Sequence, residues 1–157
     1  MERRIAVCFV CLGNICRSPT AEAVFAHRVA QAGLHDRFHL DSAGTGDWHA
    51  GEPAHPPTIA AAKKRGIAIT HRARVITPAD FTRFDHLLVM DRSNHANVLR
   101  LARTDAEREK VRLFRSFDPL GDDEAEVPDP YYSGEYEEVL DICERTAEAL
   151  LVHLTRG

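Results

Sequence analysis

Short apolar runs alternate with helical segments along the whole chain, and this alternation limits the possible folds more than any other feature. Four runs have strand composition and occupy residues 3–10, 37–44, 84–91 and 110–114. Helical segments follow them at 18–33, 56–66, 93–102 and 136–154. A β-α repeat of this kind requires a parallel sheet with helices on both faces. Because crossovers are right-handed, we predict a single α/β domain over 1–157, with a doubly wound four-stranded parallel sheet in the order 2-1-3-4.

Serine, proline and glycine mark the expected helix ends. Ser18 is the predicted cap of the first helix, with Pro19 at the first helical position and Gly33 as the terminator. Gly66 is expected to end the second helix, and Ser93 to cap the third. The last helix has the clearest apolar stripe, about five turns long. Its members are Tyr136, Val139, Leu140, Cys143, Ala147, Leu150, Leu151 and Leu154.

Charge and composition exclude several classes of function. The 157 residues carry a net charge of −4, so no basic surface for nucleic acid or anionic lipid is expected. No apolar stretch approaches the roughly 20 residues that span a bilayer. The basic residues before the first apolar run faintly resemble a secretory leader, but no small-residue cleavage site follows them. We therefore interpret this run as a buried strand of a cytoplasmic protein.

The four cysteines are too few and too clustered for a disulfide framework. Cys8 and Cys11 form a C-x-x-C pair, which could indicate zinc or a redox dithiol, but residues three apart in a strand face opposite sides. No second cysteine or histidine pair completes a zinc site. We expect no metal and no cofactor, and we expect Cys8 and Cys143 to lie in the core.

The stretch CLGNICRS, residues 11–18, has the chemistry of an anion site between a strand and a helix. Backbone N–H groups converge in such a turn, and the helix end adds partial positive charge. The spacing fits neither a Walker loop nor a dinucleotide motif. A cysteine at the entry, followed by Arg17 and Ser18 in the pattern C-x5-R-S, favours a phosphate held above Cys11. Because positive surroundings favour the thiolate, the pattern predicts attack on a phosphate monoester through a phosphocysteine.

The stretch VCLGNICRSPTAEAVF closely resembles the loop and first helix of the low-molecular-weight protein tyrosine phosphatases. Later stretches resemble that family's landmarks in the same order: DSAGTGDWHAGEPAHP, RGIAITHRAR, HLLVMDRSNHANV and VPDPYYSGEYEEV. A C-x5-R pattern alone occurs in other cysteine phosphatases. Its combination with D-P-Y-Y near the C-terminus is highly specific, and the resemblance covers essentially the whole chain.

The resemblance implies catalytic roles for four residues. Cys11 would be the nucleophile, Arg17 the phosphate clamp, and Ser18 the hydrogen-bond partner of the sulfur. Asp129 would be the general acid and then the general base. The sequence supports Asp129 independently, because Pro128 and Pro130 stiffen its backbone and two tyrosines follow. The alternative is that Asp129 is one more carboxylate of an acidic loop.

The resemblance also implies the walls of the site. Phosphate would be held by Leu12, Gly13, Asn14, Ile15, Cys16 and Arg17. The ring of a phosphotyrosine would lie among Leu12, Trp48, Tyr131 and Tyr132, although Trp48 could instead be a packing anchor. The polar network behind the loop would be formed by Asn14, Ser18, Ser42 and His71. Asn14 suits a loop with inward N–H groups because asparagine tolerates left-handed backbone angles.

Cys16 has two interpretations. It could pack beneath the loop, or it could pair with Cys11 on oxidation and protect the nucleophile, as the resemblance implies.

The sequence argues against three other functions. An arsenate reductase on this fold needs resolving cysteines, and none occurs between Cys16 and Cys143. Protein arginine phosphatases are similar but carry threonine where this chain has Ile15, and a different aromatic residue in place of Tyr131. A catalytically dead phosphate-binding module would usually lack the cysteine, arginine or aspartate, and all three are present.

The resemblance implies the following partners. The substrate would be a tyrosine-phosphorylated protein, and inorganic phosphate and other oxyanions would inhibit. No nucleic acid or membrane partner is expected, and the protein is expected to be a monomer or weak dimer.

Overall fold

The computed structural model describes residues 3–156 and contains one four-stranded parallel sheet. Its strands are β1 (Ile5–Cys11), β2 (Phe38–Gly44), β3 (His86–Val89) and β4 (Val111–Leu113). Their order is β2-β1-β3-β4, which confirms the predicted order and the doubly wound α/β class. In the central strand, Val10 pairs with Ala43 on one side and Val89 on the other. The carboxyl ends of the strands therefore meet at one edge of the sheet.

Seven α-helices connect and cover these strands within residues 3–156. They are α1 (Arg17–Gln31), α2 (Pro56–Lys63), α3 (Asp80–Arg83), α4 (Arg92–Leu99), α5 (Asp105–Glu109), α6 (Pro130–Ser133) and α7 (Tyr136–Thr155). Two 3-10 turns lie at His35–Arg37 and Phe114–Phe117. The sequence did not predict α3, α5, α6 or the turns, because elements this short carry no apolar period.

The two faces of the sheet have separate apolar cores. On one face, Phe9 packs in a cluster with α1, α2 and α7, and its ring meets those of Phe25 and Phe114. On the other face, Cys8 lies in a cluster with residues of α3 and α4. Cys143 is fully buried in the first cluster. Cys8 and Cys143 thus occupy core positions, on opposite faces of the sheet.

Two predicted helix starts are wrong. The first helix begins at Arg17, so Ser18 and Pro19 lie within its first turn, and the preceding residue makes no side-chain cap. Ser18 is buried and its hydroxyl turns toward Cys11. The cap of α4 is Asp91, whose carboxylate accepts the backbone N–H of Asn94; Ser93 lies inside the helix. In both cases the polar side chain that the pattern selected is one or two residues inside the helix.

The helix ends agree better with the sequence. Gly33 has a φ of +71° immediately after the last turn of α1, as expected of a terminating glycine. Gly66 also has a positive φ, three residues beyond the last residue of α2. Over residues 3–156, no helix combines the length and apolarity required to cross a bilayer.

Candidate active site

The site lies at the carboxyl edge of the sheet, where β1 leads through a tight turn into α1. We call residues 11–17 the 11–17 loop. Within it, Asn14 has a φ of +56°, and it is the one non-glycine residue with a positive φ between residues 3 and 156. The end of β2 approaches this turn so closely that a Cβ on Gly44 would lie 2.7 Å from the carbonyl oxygen of Leu12. Glycine is therefore required at this contact.

Cys11 ends β1 and lies at the base of the turn, where it is 3% exposed. Its Sγ lies 3.0 Å from the hydroxyl of Ser18. The backbone N–H of Asn14 also donates to this sulfur, at 3.3 Å. Both groups can stabilise an anionic sulfur, since each can direct a hydrogen toward it.

Asn14 holds the turn from behind through all four hydrogen bonds that its amide can make. Its Nδ2 donates to Ser18 at 2.7 Å and to Ser42 at 3.0 Å. Its Oδ1 accepts from the backbone N–H of Arg74 at 3.0 Å and lies 2.8 Å from Nε2 of His71. Because the side chain is almost fully buried, these bonds fix the left-handed backbone of Asn14.

A layer of charged residues supports this amide. Ser42 donates to Glu22 at 2.6 Å, and Arg74 donates to Asp41 at 2.8 Å. Burial raises the pKa of Glu22 to about 6. Burial also lowers the pKa of His71, against the opposing effect of the Asp41 charge.

Arg17 is buried and anchored at its Nη1, which donates to Asp91 at 2.7 Å and to the carbonyl of Val127 at 3.2 Å. Its Nη2 lies 3.5 Å from a carboxylate oxygen of Asp129. Burial alone would lower the pKa of Arg17, but the charge of Cys11 and the contacts with the two aspartates raise it. The guanidinium therefore stays charged and is held in one orientation.

Asp129 immediately precedes α6 and acts as its cap, since its carboxylate accepts the backbone N–H of Tyr131 at 3.1 Å. Its neighbours Pro128 and Pro130 restrict the backbone on both sides. The carboxylate is half-buried and faces the arginine of the 11–17 loop.

These groups line one cavity of about 340 Å3. Its walls are Cys11, Leu12, Gly13, Ile15, Cys16, Arg17, Trp48, His49, Asp129, Tyr131 and Tyr132. Trp48 is 70% exposed, so it forms part of the rim. Its ring lies over Gly46, in space that a Cβ at that position would occupy. The rings of Tyr131 and Tyr132, on α6, meet edge to face with their centroids 5.3 Å apart.

The structure divides the predicted site residues into two groups. One group lines the cavity; it includes Cys11, Arg17, Asp129 and the aromatic residues Trp48, Tyr131 and Tyr132. The other group, Asn14, Ser18, Ser42 and His71, lies behind the 11–17 loop. Cys16 lines the cavity although it is buried, and burial raises the pKa of its thiol to about 11.

Several residues that line the cavity or contact the site residues were not predicted from the sequence. Asp91 follows β3 at the sheet edge where ligands bind, and that position could have identified it as the partner of Arg17. His49 lines the cavity beside Trp48, with no local signal in the sequence. Glu22 and Arg74 contact Ser42 and Asn14, respectively, and both pairs are far apart in the sequence.

Known proteins match this chain over nearly its whole length. The family model described as low molecular weight phosphotyrosine protein phosphatase matches residues 6–157. A low molecular weight protein-tyrosine-phosphatase of Streptomyces coelicolor is 47% identical over 148 residues, covering 92% of this chain and 90% of that protein.

Two solved structures share the fold across their whole lengths. YfkJ from Bacillus subtilis superposes with a TM-score of 0.92 at 36% identity, covering 99% of each chain. A protein tyrosine phosphatase from Entamoeba histolytica gives a TM-score of 0.92 at 34% identity, covering 98% of each chain. The match over nearly the whole chain confirms the resemblance seen in the motifs: this chain belongs to the low molecular weight phosphotyrosine protein phosphatase family.

Proposed function

We propose that this chain hydrolyses phosphotyrosine in proteins, and small aryl phosphates, through a phosphocysteine on Cys11. One observation supports this above all: Cys11, Arg17 and Asp129 line a single cavity with aromatic walls. The family match and the relatives named as tyrosine phosphatases support the same activity. The residue roles below are inferred from the geometry of the site.

In the first step, the thiolate of Cys11 attacks phosphorus and forms an S–P bond while the bond to the aryl oxygen breaks. Arg17 donates through Nε and Nη2 to two phosphate oxygens, because its Nη1 is occupied by Asp91 and Val127. The backbone N–H groups of the 11–17 loop neutralise charge on the phosphoryl group. Asp129, as the carboxylic acid, gives its proton to the departing phenolate.

In the second step, the carboxylate of Asp129 takes a proton from a water molecule that attacks the phosphocysteine. The S–P bond breaks, the thiolate of Cys11 is restored and inorganic phosphate leaves. Ser18 assists because its hydroxyl lies 3.0 Å from the sulfur and can donate to the thiolate as it forms. Inorganic phosphate and other oxyanions compete for the same cradle and are expected to inhibit.

The walls of the cavity favour an aryl substrate. Trp48, Tyr131 and Tyr132 surround the entrance, and Leu12 and Ile15 add apolar lining near the loop. A flat ring between these side chains keeps the phosphate directed at Cys11. Phosphoserine has no ring to fill this space, so we expect it to be a poor substrate.

The test compares phosphotyrosine, phosphoserine and phosphoarginine peptides, with p-nitrophenyl phosphate as a chromogenic reference and EDTA present throughout. Wild type is expected to prefer phosphotyrosine, and Cys11→Ser to be inactive on every substrate. Turnover only with added metal would contradict the mechanism. Phosphoarginine turnover equal to that of phosphotyrosine would contradict the substrate and leave the mechanism standing.

A further inference from the structure

The segment that carries Asp129 has neither helix nor strand. It covers residues 118–129, between the 3-10 turn at Phe114–Phe117 and α6, and we call it the acid segment. A general acid must stay within reach of the leaving oxygen, so the contacts that hold this segment bear directly on the proposed reaction. Two of its residues, Glu126 and Val127, make such contacts through their backbone carbonyls.

Two guanidinium groups bind consecutive carbonyl oxygens of the acid segment. Nη1 of Arg115 donates to the carbonyl of Glu126 at 2.9 Å, and Nη1 of Arg17 donates to the carbonyl of Val127 at 3.2 Å. The N–H of Val127 donates in turn to the carbonyl of Met90, just after β3, at 2.8 Å. Because hydrogen bonds from charged donors are stronger than neutral ones, the two arginines fix the backbone just before the catalytic carboxylate.

Arg115 is not among the residues that line the active-site cavity, yet it joins both ends of a loop in the acid segment. Its Nε donates to the buried carboxylate of Asp118 at 2.8 Å, while its Nη1 holds Glu126. A Cβ on Gly121 would lie 2.9 Å from the Cβ of Ala125, so the chain between those two contacts turns back on itself. One planar guanidinium thus fixes where the chain enters and leaves this loop.

Arg145 on α7 binds the same carboxylate and provides a direct comparison. Its Nε and Nη2 donate to the two oxygens of Asp118 at 2.7 and 2.9 Å, and within residues 3–156 its hydrogen bonds go to Asp118 alone. Asp118 therefore keeps a charged partner when Arg115 is removed, so the buried carboxylate is not left unpaired. What Arg115 supplies beyond this ion pair is the donor to the carbonyl of Glu126.

We propose that Arg115 is a positioning residue, which holds Asp129 beside Arg17 through the carbonyl of Glu126. The inference rests on the proposed function, in which Asp129 is the general acid. Because Arg115 does not line the cavity, it acts on the reaction only through the backbone of the acid segment. Misplacing a reacting group by about 1 Å can cost about 100-fold in rate, so a small shift of this segment is enough to matter.

Loss of Arg115 should affect leaving groups unequally. A displaced Asp129 transfers its proton poorly to a basic phenolate, whereas p-nitrophenolate needs little protonation to depart. Attack by the thiolate of Cys11 should proceed as before, because Nη1 of Arg17 also donates to Asp91 at 2.7 Å and keeps the clamp in place. The expected signature is a steeper dependence of kcat/KM on leaving-group basicity.

The test measures kcat/KM for a series of aryl phosphates with wild type and three variants. Arg115→Ala is expected to lose about tenfold or more on phenyl phosphate and about twofold or less on p-nitrophenyl phosphate. Arg115→Lys keeps one charged donor and should recover part of the loss on phenyl phosphate. Arg145→Ala is the matched control: it loses two hydrogen bonds to the same carboxylate without releasing Glu126, and should keep the wild-type slope.

Amide hydrogen exchange gives a second readout that needs no substrate. Val127 is buried and its N–H donates to Met90, whose own N–H donates to Val10 at 3.0 Å and serves as the internal reference. Relative to Met90, the Val127 hydrogen should exchange about tenfold faster or more in Arg115→Ala, and at an unchanged ratio in Arg145→Ala. Arg115→Met, which keeps an apolar stem without the donors, carries the same test if Arg115→Ala does not fold.

A wild-type slope in Arg115→Ala, an equally steep slope in Arg145→Ala, or an unchanged exchange ratio for Val127 would overturn the positioning role. A wild type that does not hydrolyse aryl phosphates, or an Asp129→Ala variant with the wild-type slope, would overturn the proposed function as well. A normal dependence on Asp129 with no effect at Arg115 would overturn the positioning role alone, so the two failures are told apart.

Discussion

The hydroxyl of Ser18 lies 3.0 Å from the sulfur of Cys11 and accepts the amide N–H of Asn14 at 2.7 Å. Because Asn14 donates to this oxygen, the hydroxyl hydrogen is directed toward the sulfur. Ser18 is therefore oriented as a donor to Cys11. An orientation imposed by a third residue is available before any substrate arrives, which is the condition for efficient stabilisation of charge.

Replacing Ser18 with alanine should slow breakdown of the phosphocysteine more than its formation, because the departing thiolate loses its donor. A hydrogen bond to a charged group contributes about 1.5–3 kcal/mol, so we expect roughly a tenfold loss or more in that step. Rapid-quench kinetics should then show a burst of p-nitrophenol and an accumulated phosphoenzyme. Ser93→Ala, at an exposed position of α4, is the control and should behave as wild type. Equal slowing of both steps would argue against the role of Ser18.

Asp129→Ala should reduce kcat/KM most for substrates with poor leaving groups. General acids contribute about 10²–10⁴-fold, and p-nitrophenolate needs little protonation to depart. A series of aryl phosphates should therefore give a steeper dependence on leaving-group basicity in the variant than in wild type. Asp123→Ala, an exposed carboxylate of the same loop, should keep the wild-type slope. A uniform loss across the series would contradict the acid role.

Asn14→Gly and Asn14→Ala should separate backbone strain from hydrogen bonding. Both variants lose the four amide contacts. Only alanine is strained in the left-handed backbone conformation, which costs about 1–2 kcal/mol of folding free energy. Urea unfolding should therefore find Asn14→Ala less stable than Asn14→Gly by about 1 kcal/mol. Both should lose most of their activity on p-nitrophenyl phosphate. Wild-type activity in the glycine variant would show that the amide contacts of Asn14 are dispensable.

Mild oxidation with hydrogen peroxide should give a disulfide between Cys11 and Cys16. Peroxide converts the Cys11 thiolate to a sulfenic acid, and the Cys16 thiol condenses with it and releases water. Cys16 is not expected to react first, because burial raises its pKa to about 11. Peptide mapping should find the bond, and a reductant should restore activity. In Cys16→Ser, peroxide should abolish activity irreversibly. A Cys11 sulfonate in wild type, with the Cys16 thiol unmodified, would show that Cys16 does not protect Cys11.

Asp118 should make stability depend on pH in the acid range. It is buried beneath Arg145 and Arg115, and these contacts lower its pKa well below the usual value. Its contribution is therefore fully present above about pH 5 and is lost as pH falls below about 4, where the unfolded chain binds the proton first. Removing one partner of a buried ion pair costs roughly 3 kcal/mol, so Asp118→Asn should be that much less stable at pH 7.

Urea unfolding of wild type and Asp118→Asn from pH 3 to pH 8 measures this difference. The difference in the free energy of unfolding between the two proteins should be constant above about pH 5 and become smaller on acidification. Asp122→Asn, an exposed carboxylate of the following loop, should give no such difference. A difference in the free energy of unfolding that grows toward low pH would contradict the lowered pKa of Asp118.

The sheet could be predicted from the sequence alone because the residue patterns that define strands and helices are local. A β-branched run and a helical stripe each report on neighbours a few residues away, so strand order and class followed from their alternation and the handedness of crossovers. The 11–17 loop could be found for the same reason, since its cysteine and arginine lie in one turn. The two predicted helix caps were wrong because the hydroxyl of Ser18 turns toward Cys11, and because Asp91, rather than Ser93, accepts the backbone N–H of Asn94.

The sequence was therefore sufficient to predict the fold class, the family and the position of the proposed anion-binding segment. Which distant groups meet at that segment depends on how the folded chain packs. Arg17 donates to a carbonyl 110 residues further along the chain, and His71 reaches Asn14 across 57 residues. Such pairs depend on the register of parallel strands and on the exit directions of their loops. No local pattern encodes those distances, so the contact of Glu22 with Ser42 and the contacts of Arg74 behind the loop emerged only from the folded chain.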